Sequence, residues 1–244
     1  MKITGLNALN TIKENGLDKL LPDNFILFKP KDIVSGDFFW LSEKDSKIVF
    51  TVADCTGHGV PGAFMSLLGI TLLNEIVNKS VTLRADEVLN QLRVNIINSL
   101  HQSSKRNGTR DGMEIALCIF DFDNGMLQYA GAFRPLYLIR ENQLHILDGD
   151  TMPIGIYDDE KTSFISKEIP FRKDDIVYLF TDGYVDQIGG INRKTFRTKY
   201  FRELLLEIHR SPMGDQKEIL WNKFIEWKGE IEQIDDVLVL GMKL

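Results

Sequence analysis

Apolar and polar positions in the first part of the chain predict strands and helices in separate blocks. Leucine and isoleucine recur at helical spacing over residues 6–21, and the proline and polar residues that follow end the pattern. Three short apolar runs then predict strands at residues 25–28, 33–41 and 48–53, with Gly36 inside the second strand. Two stretches with a 3.6-residue period follow, and they predict helices over residues 61–79 and 85–102.

The remainder of the chain is mostly strand-like. Two amphipathic helices are predicted near its end, over residues 199–209 and 216–228. The three strands between residues 127 and 147 are separated by short connections, so we expect them to form a meander. The predicted strands in this part lie at residues 113–122, 127–132, 136–140, 143–147, 164–169, 175–181 and 237–244.

This order of elements predicts an α+β fold. Most neighbouring strands have connections of hairpin length, which favours antiparallel sheets, and the helices come in two pairs. We therefore expect an antiparallel sandwich flanked by helices. We divide the chain into an N-terminal helical segment, residues 1–22, interpreted as the remnant of a regulatory linker, and a domain over residues 23–244.

Composition narrows the classes of function. The chain has 244 residues, of which 43% are hydrophobic and 26% charged, as in an ordinary globular domain with a sizeable core. The net charge of -6 argues against nucleic acid as a partner. We find no stretch apolar enough to predict a membrane span and no signal peptide, so we expect a cytoplasmic domain without membrane contact.

Cysteine and histidine usage excludes two kinds of site. Cys55 and Cys118 are expected to be reduced thiols, and neither is followed six residues later by the arginine that a thiol phosphatase requires. The four histidines lack the spacing of zinc ligands. Thiol-based phosphatase chemistry and a zinc site are therefore not predicted.

The glycines after the third strand formally match a dinucleotide-binding fingerprint. Gly57, Gly59 and Gly62 lie between a predicted strand and a predicted helix. That fingerprint requires a second parallel strand after the helix, whereas here another helix follows. Asp54 would also direct a negative charge towards the pyrophosphate, so this alternative is the weaker one.

Four aspartates lie at or near the ends of predicted apolar strands: Asp37, Asp54, Asp182 and Asp235. A single aspartate in such a place usually caps a turn. Four carboxylates brought together would repel one another unless a cation neutralised them, and oxygen ligands suit Mg²⁺ or Mn²⁺. From these residues alone, capping and metal binding both remain open.

Seven stretches resemble the metal-dependent protein phosphatase (PPM) family, and specifically its bacterial branch typified by the stage II sporulation protein E (SpoIIE). They occur in the family's order and extend over nearly all of the chain beyond residue 22. The resemblance implies an αββα sandwich, in which two antiparallel sheets lie face to face with two helices on each outer face. The stretches are KPKDIVSGDFFW (29–40), VADCTGHGVPGA (52–63), GMEIALCI (112–119), YAGAFRP (129–135), TMPIG (151–155), YLFTDGYVDQIGG (178–190) and QIDDVLVLG (233–241).

The resemblance also implies roles for individual residues around two ions of Mn²⁺ or Mg²⁺. Asp54 matches the carboxylate that bridges both ions, and Asp182 and Asp235 match further catalytic carboxylates of the first ion. Asp37 matches a ligand of the second ion, and the backbone carbonyl of Cys55 matches a further metal ligand. Asp236 matches a supporting partner that could exchange roles with Asp235, and Asp186 matches an acid near an additional metal site. In the loop, Gly57 is implied as support, and His58 as a residue that shapes the loop or transfers a proton.

The chain departs from the family pattern at several positions. Leu238 replaces a usual threonine, Glu114 replaces a common aspartate, and Ala132-Phe133 offers no acid for a third ion, so we expect a two-metal core. No arginine clearly matches the phosphate-binding arginine of eukaryotic members. Lys29, Lys31 and Arg134 are candidates for that role, although solvated surface charge is our preferred interpretation of all three.

The function implied by the resemblance is a metal-dependent serine/threonine phosphatase. Two cations lower the pKa of a bridging water, which attacks the phosphorus of phosphoserine or phosphothreonine. The implied partner is a phosphorylated regulatory protein, such as an anti-sigma-factor antagonist, and the N-terminal segment is a candidate dimer contact. The alternative is a regulatory binding module that keeps the fold and is catalytically impaired.

Overall fold

The computed structural model describes residues 21, 23–102, 110–157 and 162–244. The helix predicted over residues 6–21 lies almost entirely outside these residues. Ten strands form two antiparallel five-stranded sheets. Sheet I has the order β1 (Asn24–Lys29), β12 (Val237–Lys243), β9 (Ile176–Phe180), β6 (Leu136–Arg140) and β7 (Gln143–Leu147), and sheet II has the order β2 (Phe38–Lys44), β3 (Lys47–Cys55), β4 (Met113–Asp121), β5 (Met126–Ala132) and β8 (Lys167–Pro170).

Two pairs of helices cover the outer faces of the sheets. Helices α1 (Gly59–Lys79) and α2 (Ala85–Ser99) pack on sheet II, and helices α4 (Thr198–Ile208) and α5 (Met213–Lys228) pack on sheet I. Alternate residues of each strand point to opposite faces, so each sheet contributes one face to a helix layer and the other to the core between the sheets. The predicted αββα sandwich is confirmed.

The boundaries of the second predicted strand were wrong. Residues 33–37 form a loop, and β2 begins only at Phe38. The side chain of Asp236 accepts a hydrogen bond from the backbone N–H of Gly36, and Ser35 Oγ accepts one from the N–H of Asp37. Because side chains satisfy these backbone groups, this segment does not pair as a strand.

The predicted meander was wrong in its first pair of strands and right in its second, because β6 and β7 are antiparallel neighbours. Strand β5 pairs with β4 and β8 in sheet II, whereas β6 pairs with β7 and β9 in sheet I. Between them the chain reverses tightly, because Phe133 has a φ of 59° and the N–H of Arg134 donates to the carbonyl of Ala132. The turn therefore carries the chain from one sheet to the other and places Arg134 between them.

The expectation that no stretch is apolar enough to cross a membrane was wrong, because helix α1 passes that test by length and composition. In the fold it is a core helix, and 56% of its apolar window is buried. Its buried side includes Leu73, Ile76 and Val77, which pack in the cluster between sheet II and the helices. Packing against sheet II accounts for this composition.

Three short elements were not predicted. They are helix α3 (Gly183–Asp186) and the paired strands β10 (Ile188–Gly189) and β11 (Lys194–Thr195). Two residues separate helix α3 from the end of β9, and its buried residues Tyr184 and Val185 join the core between sheet I and its helices. It thus fixes the backbone that follows Asp182.

The two sheets place several strand ends at one end of the sandwich. The start of β2, the end of β3 and the start of β4 are neighbours in sheet II, as are the end of β9 and the start of β12 in sheet I. A hydrogen bond of 2.6 Å from Thr181 Oγ1 to Asp37 Oδ2 joins the two sheets there.

Both neighbours of β3 are antiparallel, so the parallel arrangement that dinucleotide binding requires is absent from this sheet as described.

Candidate functional site

A cavity of about 250 Å³ opens at this end of the sandwich. Three of the predicted catalytic carboxylates face it from three different elements: Asp54 from the end of β3, Asp182 from the start of α3 and Asp235 from the loop before β12. The other residues that line it are Cys55, Thr56, Gly57, His58, Arg110, Gly112, Met113, Glu114, Arg134 and Pro153.

Asp54 is the centre of the carboxylate cluster. The register of sheet II pairs it with Glu114, a residue that the sequence analysis noted only as a departure from the family pattern. Asp37 is only 3% exposed and does not line the cavity. Its hydrogen bond with Thr181 orients it, because the hydroxyl donates to one of its carboxylate oxygens.

The burial of these acids is reflected in their pKa values. Desolvation, opposed by Arg134 and reinforced by Asp182, raises the pKa of Asp54 to about 8. Burial and then the charge of Asp54 raise the pKa of Asp37 well above its ordinary value. Burial is also the main cause that raises the pKa values of Glu114 and Asp235. Ionising the whole cluster is therefore unfavourable unless a further cation binds beside it.

Arg134 is a site residue that the sequence analysis assigned wrongly to solvated surface charge. Only 8% of it is exposed, and its Nη2 lies 2.7 Å from Asp54, 2.9 Å from Glu114 and 2.6 Å from Asp182. Lys29 is half-buried, and its ammonium lies 4.7 Å from the ring centre of Trp221. Arg134 is thus a cation that contacts carboxylates of the cavity.

The neighbouring acids Asp235 and Asp236 have different surroundings. Asp236 is 2% exposed, and its two carboxylate oxygens accept backbone hydrogen bonds of 2.8 Å from Lys31 and Gly36. Asp235 is half-buried and lines the cavity. This geometry gives Asp235 access to a ligand and makes Asp236 the anchor of the loop over residues 31–36.

We expect the substitution Asp236→Ala to lower the free energy of unfolding by about 2–4 kcal/mol, because it leaves two backbone N–H groups of that loop without their acceptors. Asp236→Asn keeps one acceptor oxygen and should lose less. Urea unfolding of both variants in the absence of metal measures the difference. Equal losses in the two variants would contradict the anchoring role.

The glycine loop is packed against this anchored loop. Side chains at Gly36 and Gly62 would both overlap with the carbonyl oxygen of Gly57, whose own φ is +84°. Both ring nitrogens of His58 contact the loop over residues 31–36: Nδ1 lies 2.9 Å from Asp32 Oδ2, and Nε2 lies 3.3 Å from Lys31 Nζ. His58 therefore has the contacts expected of a residue that shapes the loop.

Cys55 and Asp186 are the remaining predicted site residues, and the structure places them differently relative to the cavity. Cys55 lines the cavity, but its thiol is buried, and burial raises its pKa far above the ordinary value, so the thiol is unsuited to nucleophilic attack. Asp186 lies at the end of α3, exposed and outside the cavity lining. Burial and the nearby charge of Asp182 raise the pKa of Asp186.

The chemistry of the cluster fits a hard divalent cation. Its ligand atoms are carboxylate oxygens, and burial disfavours their ionised forms unless a cation neutralises them. Among the residues that the structure describes, no three His, Cys, Asp or Glu side chains are spaced so that they could hold a metal ion together. In this arrangement the Arg134 guanidinium lies between Asp54, Glu114 and Asp182.

Solved structures provide the comparison for this fold. The PP2C domain of SiaA from Pseudomonas aeruginosa is 27% identical, with a TM-score of 0.86 over 98% of this chain and 95% of that domain. A structure of the PP2C phosphatase domain and a fragment of the regulatory domain of SpoIIE from Bacillus subtilis is 16% identical, with a TM-score of 0.73 over 91% of this chain and 63% of that one.

A third similar structure is the catalytic domain of the serine/threonine protein phosphatase PstP in complex with two manganese ions. It is 13% identical, with a TM-score of 0.63 over 90% of this chain and 96% of that domain. 

At this level of identity, the second and third comparisons bear on the fold alone. No curated protein sequence shows significant similarity to the chain.

The sequence model of the stage II sporulation protein E (SpoIIE) family matches residues 44–244, which contain all of the cavity-lining residues named above. The match includes Asp54, Asp182 and Asp235, and it leaves out β1 and Asp37. The chain therefore belongs to the SpoIIE family, within the PPM-type serine/threonine phosphatase fold.

Proposed function

We propose that the chain is a metal-dependent protein phosphatase that hydrolyses phosphoserine or phosphothreonine on a regulatory protein. The observation that carries this proposal is the convergence of Asp54, Asp182 and Asp235 on one cavity, at the end of the sandwich where the two sheets meet. Membership in the SpoIIE family supports it, as does the similarity to a phosphatase domain in complex with manganese.

The residues that would hold Mn²⁺ or Mg²⁺ are Asp37, Asp54, Asp182 and Asp235, with the backbone carbonyl of Cys55. When bound, two such ions supply a water of lowered pKa and neutralise negative charge on the phosphoryl group. The protein's own contribution is to hold the carboxylates in fixed places. The Thr181 hydroxyl orients Asp37, and the sheet register fixes Asp54 opposite Glu114.

We further propose that the substrate is a phosphorylated regulatory protein in the cytoplasm, such as an anti-sigma-factor antagonist. A cavity of about 250 Å³ has room for a phosphorylated side chain, so the rest of the substrate would lie on the surface around it. The net charge of -6 also disfavours nucleic acid as the substrate.

The test is hydrolysis of a phosphoserine protein and of p-nitrophenyl phosphate with Mn²⁺ or Mg²⁺. We expect turnover that EDTA abolishes and that Asp182→Asn reduces by about 10³-fold or more, because this carboxylate faces the cavity. Asp174→Asn is the matched control, since Asp174 pairs with Lys243 at the other end of sheet I and should leave the rate unchanged. Turnover that survives both EDTA and Asp182→Asn would refute the proposal.

A catalytically impaired binding module is the second candidate. The observation that favours it is the presence of Leu238 and Glu114 where the family commonly has threonine and aspartate. Leu238 is fully buried between the sheets, so its side chain serves packing. Manganese binding without measurable turnover on any phosphoprotein would favour this candidate over the phosphatase.

A further inference from the structure

The Arg134 guanidinium contacts three of the acids that line the cavity. Its Nη2 atom lies within 2.9 Å of Asp54, Glu114 and Asp182, which belong to β3, β4 and the start of α3. The tight turn between β5 and β6 brings it there, and only 8% of the residue is exposed. This cation therefore partly neutralises three half-buried acids that the fold brings together.

The hydrogen bonding of Arg134 is incomplete. A guanidinium Nη atom carries two hydrogens, yet three carboxylates lie around Nη2. The Nε atom is buried without a hydrogen-bond partner. A favourable arginine–carboxylate pair uses two parallel hydrogen bonds from two nitrogens, and this arrangement does not. Arg134 supplies charge here without satisfying all of its own donors.

We infer that Arg134 is the resident counter-ion of the carboxylate site and that divalent cations displace its guanidinium from Asp54 and Asp182. The inference rests on the proposed function, in which these two carboxylates bind the ions. A carboxylate oxygen in contact with Nη2 is not free to ligate a metal, and the guanidinium and the ion repel each other. Glu114 is not a predicted ligand, and its side chain is 40% exposed, so it offers the displaced guanidinium a partner at the cavity rim.

This arrangement has two opposite energetic effects. Without metal, Arg134 offsets the repulsion among buried carboxylates and stabilises the fold. With metal, its displacement lowers the apparent affinity, because the site is competent to bind only in the fraction of molecules in which the guanidinium has moved. Removing the guanidinium should therefore weaken the metal-free fold and strengthen metal binding.

The test compares wild-type protein with Arg134→Gln by calorimetric Mn²⁺ titration at pH 8.5 and by thermal unfolding in EDTA. We expect the variant to bind Mn²⁺ about tenfold more tightly or better, and to unfold at a lower temperature in EDTA. Arg140→Gln is the matched control. Arg140 forms an ion pair with the buried Asp175 near the opposite end of sheet I, so its loss should lower the unfolding temperature without changing Mn²⁺ affinity.

A measurement on the wild-type protein keeps the inference testable if Arg134→Gln does not fold. Mg²⁺ is diamagnetic, so the Nε–H resonance of Arg134 can be followed by NMR and assigned by its absence from Arg134→Lys. We expect its exchange with solvent to accelerate at saturating Mg²⁺, because the buried Nε leaves its place with the rest of the guanidinium.

The outcomes separate the inference from the proposed function. Equal or weaker Mn²⁺ binding by Arg134→Gln, or unchanged Nε–H exchange at saturating Mg²⁺, overturns the inference while the metal-dependent phosphatase stands. No Mn²⁺ or Mg²⁺ binding by the wild-type protein overturns both.

Discussion

Replacing Asp54 with asparagine should abolish phosphatase activity and, at the same time, stabilise the metal-free protein at alkaline pH. Asp54 lies opposite Glu114, and its charge adds to that of Asp182 and Asp235 in a largely buried place. Asparagine fits the same space without the charge. We expect the free energy of unfolding in EDTA to rise by about 1–3 kcal/mol at pH 8.5, and activity to fall by about 10³-fold or more.

The stabilisation should depend on pH in a defined direction. An aspartate in the unfolded chain has a pKa of about 3.9, whereas burial raises the pKa of Asp54 in the fold to about 8. Between these values, unfolding releases a proton, so the contribution of Asp54 lowers wild-type stability as pH rises from about 4 to about 8. The advantage of Asp54→Asn should therefore be larger at pH 8.5 than at pH 5.

Urea unfolding of wild-type protein and Asp54→Asn in EDTA at both pH values measures this effect. Asp174→Asn is again the control, because its carboxylate forms an exposed pair with Lys243. Adding Mn²⁺ should stabilise the wild-type protein and leave Asp54→Asn nearly unaffected. A variant less stable than wild type at pH 8.5 would show that the cluster's repulsion is already fully compensated in the metal-free fold.

The sequence was sufficient to predict the elements that have long, regular patterns. Helix α2 begins at Ala85 as predicted, and β9 was recognisable because its five residues are all apolar and all buried. The change of sheets between β5 and β6 was not predictable from such patterns. It depends on the left-handed backbone of Phe133, a conformation that a phenylalanine in the sequence does not indicate.

For the candidate site, the sequence was sufficient to predict the three aspartates but not the other charged residues that contact them. Asp54, Asp182 and Asp235 could be selected because each lies at or beside the end of an apolar strand, and all three line one cavity. Arg134 gave no such signal. Its contact with Asp54 spans 80 residues and depends on the turn between the sheets, and the pairing of Glu114 with Asp54 depends on strand register.

The packing of Gly183 against the loop before β12 can be tested without substituting the carboxylates themselves. Gly183 follows Asp182, and a side chain there would overlap with the carbonyl oxygen of Asp236 and lie 3.4 Å from the Cβ of Asp235. Since backbone occupies that space, the substitution Gly183→Ala must push the start of α3 away from the loop before β12.

We expect Gly183→Ala to lower the free energy of unfolding by about 2–4 kcal/mol and the phosphatase rate by about 10²-fold or more, because the shift would change the spacing of Asp182 and Asp235 in the cavity. Gly214→Ala is the matched control, since a Cβ at Gly214 in α5 meets no atom within 4 Å and alanine favours a helix. Urea unfolding and phosphatase assays on both variants measure the two effects. The prediction fails if Gly183→Ala keeps the wild-type phosphatase rate and Gly214→Ala is as stable as the wild-type protein. In that case another part of the loop before β12 would have to set the spacing of Asp182 and Asp235.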